Sequence, residues 1–401
     1  MPKGFYFLMG AQFTSGLADN ALLILGIYFL NEQGYPGWWA PLLKFSLTLA
    51  YVLLASVVGP LADAFSKRRV MAGMSVLKML GVLALLAGVQ PLCAFALIGL
   101  AASVYAPAKY GIATESVPAR SLVCANAWIE VSMVLSVIFG IAMGGALTGL
   151  SESSVPVTWL VRTQTFMPMM VILGVYAVSA VLLLGLQSMG KRGVIVPLTW
   201  HAVRLSTFWK SNQRLWRDPL GGVSLYVTTL YWGVGAVMQF AVLVWAKNSL
   251  DMPLKAAAYL QALVALGVIA GAYMAGRSFK LHSARQALPW GLLLAVLMPV
   301  MVTISNIWIA LPLLLAVGVS GGMLLVPMNA LLQHRGMQVL SSGRSIAVQG
   351  FNENLFVLLM LSAYSALLAF DVPLTYIMLL LSVLLIGGIA PLCLLLWRQF
   401  R

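Results

Sequence analysis

Residues 56–74 read SVVGPLADAFSKRRVMAGM. An apolar run enters this stretch, Gly59, Pro60 and Asp63 interrupt it, three consecutive cations follow at Lys67, Arg68 and Arg69, and a second apolar run resumes at Val70. Two apolar runs of about 20 residues joined by a short basic turn are the pattern of consecutive membrane-spanning helices, each able to cross a ~30 Å hydrocarbon core. Helices are the expected spanning element, because lipid offers no partner to backbone N–H and C=O groups. The alternating ~10-residue segments of a β-barrel are absent.

The same alternation continues in both directions. The 401 residues are 61% hydrophobic and only 8% charged, where a soluble domain carries about 25% charged residues. Spans are expected at 5–30, 40–62, 70–89, 92–113, 122–149, 166–187, 219–246, 256–275, 288–305, 307–332, 345–369 and 373–397, which makes an all-α membrane protein of twelve helices. The first apolar run holds Gln12, Asp19 and Asn20 and has no small-residue cleavage site, so it reads as a permanent helix and not as a removed signal.

The net charge of +14 follows this topology. Lys67–Arg69, Arg120, Lys191 through Arg217, Arg277, Lys280, Arg285, Arg335 and Arg344 fall in alternate loops, with Lys3, Arg398 and Arg401 on the same side. The opposite loops offer Arg162, Lys247, Lys255 and Lys44. This positive-inside asymmetry places both termini in the cytoplasm of a multi-pass inner-membrane protein, and the basicity implies no nucleic-acid partner.

The residues argue against an enzyme. No HExxH, GxSxG or GxxxxGK[ST] occurs. Ser75-Val76-Leu77-Lys78 matches a bare SxxK but lies in an apolar helix without companion motifs. His201, His282 and His334 are far apart in loops, and Cys93, Cys124 and Cys393 show no paired spacing, so no metal, cofactor or disulfide is implied.

The polar stretch 188–218 divides the chain into an N-terminal six-helix half, 1–187, and a C-terminal half, 219–401. Within that linker, Trp200 to Trp216 mixes His201, Arg204, Lys210 and Arg214 with Leu205, Phe208 and Trp209; it reads either as an interfacial amphipathic helix or as a plain basic linker. The halves are weakly alike. Aligning Pro107 with Pro327 sets Lys109 opposite Asn329, and after a three-residue insertion Asn126 meets Gln349 and Glu130 meets Glu353.

Charges inside spans cost roughly 2.5–3.5 kcal/mol each and so mark candidate functional positions. Asp19, Lys109, Glu130 and Glu353 stand out. Gln12, Ser15 and Asp19 share a face of the first helix, with Asn20 beside them; Asn126 and Glu130 share a face of the fifth. Ser345, Gln349 and Glu353 share a face of the eleventh, next to Asn352, and Thr228, Tyr231, Gly235 and Gln239 form a stripe on the seventh. Four polar stripes are expected to line one cavity. Interhelical pairing is the alternative, closest to parity at Glu130, and snorkelling to the cytoplasmic surface is the alternative at Lys109.

Gly59, Asp63, Lys67, Arg68 and Arg69 resemble the cytoplasmic signature loop of the major facilitator superfamily, with Gly271 to Lys280 as a degenerate copy lacking the acid. In that superfamily two parallel six-span repeats flank the substrate site, and the loop is a conformational latch. The strings AQFTSGLADNALL (11–23), GPLADAFSKRRVM, APAKYGI, VPMNALLQHRG and IAVQGFNEN resemble, more specifically, the bacterial lysophospholipid transporter family within it.

That resemblance implies a flippase importing lysophospholipids such as lysophosphatidylethanolamine to the cytoplasmic leaflet. Reacylation there would fall to a cytoplasmic-face acyltransferase/acyl-carrier-protein synthetase. It also implies that Asp19, Lys109 and Glu353 belong to a polar cavity handling the headgroup. One position departs: the family pattern carries an arginine before its FLLVLW-like stretch in the seventh helix, where this chain has Gln239. The competing expectation is a proton-coupled exporter of amphipathic drugs, since intramembrane acids such as Asp19 and Glu353 also carry protons.

Overall fold

The computed structural model describes residues 3–35, 39–151, 163–188, 197–252 and 254–399, and these contain helices and no strand. Arg162, Lys191, Arg192 and Arg401 of the charge pattern lie outside the described residues. In order the α-helices are α1 (Lys3–Glu32), α2 (Trp39–Leu53), α3 (Ala55–Ala64), α4 (Lys67–Leu86), α5 (Pro91–Ser116), α6 (Leu122–Ser151), α7 (Thr163–Leu182), α8 (Trp200–Val203) and α9 (Leu205–Arg217). They continue as α10 (Gly221–Ser249), α11 (Leu254–Ser278), α12 (Leu288–Thr303), α13 (Ile307–Val339), α14 (Ser342–Ala369) and α15 (Leu374–Gln399).

Among the described residues eleven helices are long and apolar enough to cross a membrane, and α2 with α3, bent by 68°, make a twelfth if the pair is one span. The break falls at Leu54, which leaves helical geometry at φ −96°, ψ 2°. Eleven of the twelve expected spans are matched by single helices, and the second by the bent pair.

The chain forms two compact units. The first comprises Met1–Val117, Ser132–Asn212 and Leu340–Gly350; the second comprises Pro118–Val131, Gln213–Val339 and Phe351–Arg401. Each takes a helix end from the other half of the sequence, at the start of α14 and the start of α6.

In the first unit, Leu22 and Leu25 of α1 pack with Leu43 of α2, Val82 of α4, Phe95 of α5 and Tyr176 of α7. Gly140 and Gly144 of α6 press against α1 so closely that an added Cβ would stand 2.7 Å from the Leu17 carbonyl oxygen and 2.8 Å from that of Ala21. The second unit is built around α10, α12, α13 and α15, with Trp245, Met298, Leu314, Leu324 and Leu385 fully buried. The Trp245 indole N–H donates to the Ile304 carbonyl at 3.2 Å.

Here α11 and α13 meet through two small-residue stripes. A Cβ at Gly267, Gly271, Gly318 or Gly322 would fall 2.1–2.4 Å from a carbonyl oxygen of the facing helix. Lipid tails are as apolar as leucine, so helix association in a membrane depends on such close packing. Large apolar side chains on the outside, Val181 and Val383 among them, are what hydrocarbon solvent permits.

Candidate functional site

The polar centre of the first unit is assembled by three helices. Gln12, Ser15 and Asp19 share a face of α1 by their spacing, and Ser15 and Asp19 meet α4. Facing them is Lys78, a residue the sequence reading passed over as part of an idle SxxK. Its ammonium donates to both Asp19 oxygens, at 2.8 and 2.6 Å, and to Ser15 Oγ at 3.0 Å. From α7 the Tyr176 hydroxyl donates to Asp19 Oδ1 at 2.6 Å.

The Lys78 nitrogen also stands 5.2 Å from the Tyr105 ring centre and 5.6 Å from that of Tyr176, within range of a cation–π attraction. Tyr51 lies within electrostatic range of Asp19 as well. Lys78 lies mid-span and was legible by the same insertion cost that marked the other four charges. Its partner was not, because Asp19 is 59 positions away in sequence.

Other expected residues are placed less directly. Gln12 is buried. Asn20 turns back on α1 and donates to the Gly16 carbonyl at 2.8 Å. Lys109 is buried on α5 with its nitrogen 4.2 Å from the Tyr110 ring centre. Gln349 and Ser345 are buried at the start of α14.

The signature loop gathers on that same start of α14. Asp63 accepts from the Gly343 N–H at 2.9 Å, the Arg344 N–H at 3.3 Å and the Ser341 hydroxyl. A carboxylate at a helix N-terminus satisfies orphan backbone donors and meets the positive end of the helix dipole. Close approach depends on glycine at both faces: a Cβ on Gly59 would stand 2.9 Å from the Arg344 Cα, and one on Gly343 would stand 2.6 Å from Asp63 Oδ1. Lys67 pairs with Glu115, at the end of α5, at 2.7 Å, and Glu115 also accepts from the Ser342 hydroxyl. Arg69 gives its backbone N–H to Ser66, the N-cap of α4. Arg68 holds one buried guanidinium nitrogen without a hydrogen bond.

The second unit holds its own polar set. Asn126 and Gln333 exchange reciprocal amide hydrogen bonds at 3.0 and 2.9 Å across 207 positions of sequence. Glu130 is buried and lies within electrostatic range of Tyr231, whose ring rests on Gly321. Glu353 is half-buried. Asn352 accepts from the Trp216 indole at 3.1 Å. Gln239 is exposed, and its backbone carbonyl accepts from the Gln261 side chain.

In the same unit, Asp218 pairs with Arg335 and accepts from the Gly221 N–H at 2.7 Å. The Arg335 guanidinium, followed by that backbone donor, outweighs desolvation and holds the Asp218 carboxyl below the usual carboxylate range. The stretch Trp200 to Trp216 forms two helices, α8 and α9, parted by an extended Arg204, and α9 is two-faced: Phe208, Ser211, Asn212 and Leu215 are buried while Leu205, Trp209 and Lys210 are exposed.

Known proteins agree with this architecture. The model of the Major Facilitator Superfamily matches residues 8–350. A protein named lysophospholipid transporter LplT from Pectobacterium carotovorum is 35% identical over 359 residues, 88% of this chain and 84% of that one. Its namesake in Escherichia coli (strain SE11) is 34% identical over 92% of this chain and 90% of its own length. Among solved structures, the E. coli fucose:proton symporter FucP superposes with a TM-score of 0.75 at 16% identity, covering 97% of each chain. A bacterial homologue of the iron transporter ferroportin gives 0.72 at 15% identity, covering 98% of this chain and all of its own. At such identities these two structures speak for the fold alone.

Proposed function

Because the chain belongs to the lysophospholipid transporter family of the major facilitator superfamily, we propose that it carries lysophospholipids inward across the bacterial inner membrane to the cytoplasmic leaflet. The observation that carries this reading is the likeness, along about nine-tenths of the chain, to relatives that bear this function in their names. The site chemistry supports it. Polar side chains are few, and each unit sets them within an apolar core.

A ~16-carbon acyl chain passed through water would forfeit about 0.8 kcal/mol per CH₂, or roughly 13 kcal/mol. The chain therefore stays in an apolar lateral opening while the headgroup turns over past the polar residues by alternating access. Lys109 is the cation assigned to the phosphate, in the absence of the family's arginine at Gln239. Glu353, Glu130, Gln349, Asn352 and Tyr231 belong to the polar lining. Gly59, Asp63 and Lys67 work as the latch. The two six-helix halves, 1–187 and 219–401, are the moving bodies, both termini are cytoplasmic, and an acyltransferase/acyl-carrier-protein synthetase on that face consumes the product.

The test is uptake of labelled lysophosphatidylethanolamine by spheroplasts lacking their own transporter, with and without this protein. Diacyl lipid and a cationic amphipathic dye run in parallel. Protein-dependent accumulation of the lysolipid alone is expected. Outward, proton-driven movement of the dye alone would replace this reading with the exporter.

A further inference from the structure

The surface that α9 leaves uncovered is sorted by chemistry. At 3.6 residues per turn, the buried residues Phe208, Ser211, Asn212 and Leu215 share one arc of about 100°. Leu205, Trp209 and Trp216 fall together in a second arc, about 40° wide. Leu205 is 72% exposed and Trp209 51%. Lys210, Arg214 and Arg217 fill a third arc of about 60°, centred roughly 130° from the apolar one, and all three are exposed. The helix holds no acid, and among the described residues none of its cations is ion-paired. Just upstream, Trp200 and Arg204 add one exposed residue of each kind.

α9 is also held where a membrane begins. The Gly222 N–H donates to the Asp218 carbonyl at 2.7 Å, and a Cβ on Gly222 would stand 2.3 Å from the Trp216 carbonyl oxygen. The end of α9 therefore abuts the first turn of α10, which is long and apolar enough to span. Earlier in α9, Phe208 and Ser211 line a small cavity with Ala55 and Pro60 of α3 and Ala347 of α14. Tethered in this way, the helix stays at the level where α10 enters hydrocarbon.

One surface matches both uncovered arcs. A lipid boundary takes an apolar helix edge about 5–10 Å deep, and tryptophan rings favour the headgroup level. Long cationic side chains reach from such a helix to the phosphates, and an anionic leaflet attracts them where a zwitterionic one has no net charge to offer. A protein epitope forms one contiguous patch and gives no reason for the apolar and cationic arcs to lie apart.

We propose that α9 is a membrane-surface docking element for anionic phospholipid headgroups. Leu205 and Trp209, with Trp216 beside them, sit in the acyl boundary, and Lys210, Arg214 and Arg217 rest on the phosphates. The proposal is independent of which substrate the protein carries.

The test places the full-length protein in nanodiscs of phosphatidylcholine alone, or of equal parts phosphatidylcholine and phosphatidylglycerol. In a background with Cys93, Cys124 and Cys393 replaced by alanine, a fluorescent label is attached at Leu205→Cys or at Arg214→Cys. Lipids carrying a nitroxide near the top of the acyl chain then quench it. The Leu205 label is expected to be quenched severalfold more than the Arg214 label when phosphatidylglycerol is present. Each cation near an anionic surface strengthens adsorption roughly fivefold. Lys210→Gln/Arg214→Gln/Arg217→Gln should therefore lower the docked-to-undocked ratio at the Leu205 label by on the order of 100-fold. Raising salt from about 0.1 M to 1 M, which shortens the screening length from ~10 to ~3 Å, should weaken docking in wild type and leave the triple variant unchanged. Amide exchange across 205–217 in the unmodified protein should be slower with phosphatidylglycerol than without it, a measurement that needs no variant to fold.

Equal, weak quenching of both labels with phosphatidylglycerol present overturns the proposal. Quenching and amide exchange indifferent to phosphatidylglycerol and to salt would also overturn it, leaving an apolar contact with no headgroup recognition. Protection of the Leu205 label that arises only when bacterial cytosol is added would assign the surface to a protein partner and overturn it as well.

Discussion

Replacing Asp63 by alanine should release the start of α14 from α3. The carboxylate is 6% exposed and receives the Gly343 N–H at 2.9 Å, the Arg344 N–H at 3.3 Å and the Ser341 hydroxyl. Hydrogen bonds to a charged acceptor contribute about 1.5–3 kcal/mol each, and the helix dipole adds up to ~2 kcal/mol in partly buried geometry. These contributions are not additive, and the Arg344 bond is long. A net effect of about 2–4 kcal/mol remains, a shift of roughly 30- to 1,000-fold in the docked population.

Ala347 reports on it. Its Cβ lies behind Gly59, 3.0 Å from where a glycine Cβ would stand, and the residue is buried. In inside-out vesicles, a cysteine at Ala347 should react with an impermeant thiol reagent at least tenfold faster in the Asp63→Ala background. Asp63→Asn, which keeps one acceptor oxygen, should fall between the two. Identical labelling rates with aspartate and alanine at position 63 would refute the reasoning, because the clasp would then contribute nothing to docking.

Gly318→Val places a Cβ 2.1 Å from the Val264 carbonyl oxygen, so it should lower the thermal stability of the purified protein by several kcal/mol. Gly174→Ala, where a Cβ meets nothing within 4 Å, should be neutral or slightly stabilising in the same melt. The depressed carboxyl of Asp218 contributes stability that is present above the unfolded carboxylate pKa of about 3.9 and is lost as pH falls through the lower folded value. An acid melt should therefore lose part of its low-pH limb in Asp218→Asn, and an unchanged limb would show that the Arg335 pair is inert. For topology, cysteines at the exposed positions Ser206 and Ser305 should label from opposite sides, Ser206 only from the cytoplasm and Ser305 only from outside. Ser206 is the better probe than Ser211, which α9 buries.

The sequence by itself determined what depends on short stretches of chain. Twelve spans follow from apolar runs, because membrane insertion is a local, additive cost. The Asp63 loop was recognisable by its glycine, acid and basic run, and the i, i+3, i+7 spacing put Gln12, Ser15 and Asp19 on one face. Composition also kept Lys109, Glu130 and Glu353 in view, since a charge in a span is conspicuous wherever its partners are.

Only the tertiary structure decided who meets whom. Lys78 reaches Asp19 across 59 positions, Gln333 reaches Asn126 across 207, and the Gly343 N–H reaches Asp63 across 280. Nothing in the order of residues encodes those pairings, because a buried polar group is satisfied by whichever donor or acceptor the folded chain brings within 3 Å. The bend at Leu54 is of the same kind, with no proline or glycine beside it to announce it. Hydropathy is summed along the chain and can be read from it. Hydrogen-bond satisfaction is settled in space, and so Lys78 and Tyr176 became visible as the partners of Asp19 only once the helices were packed.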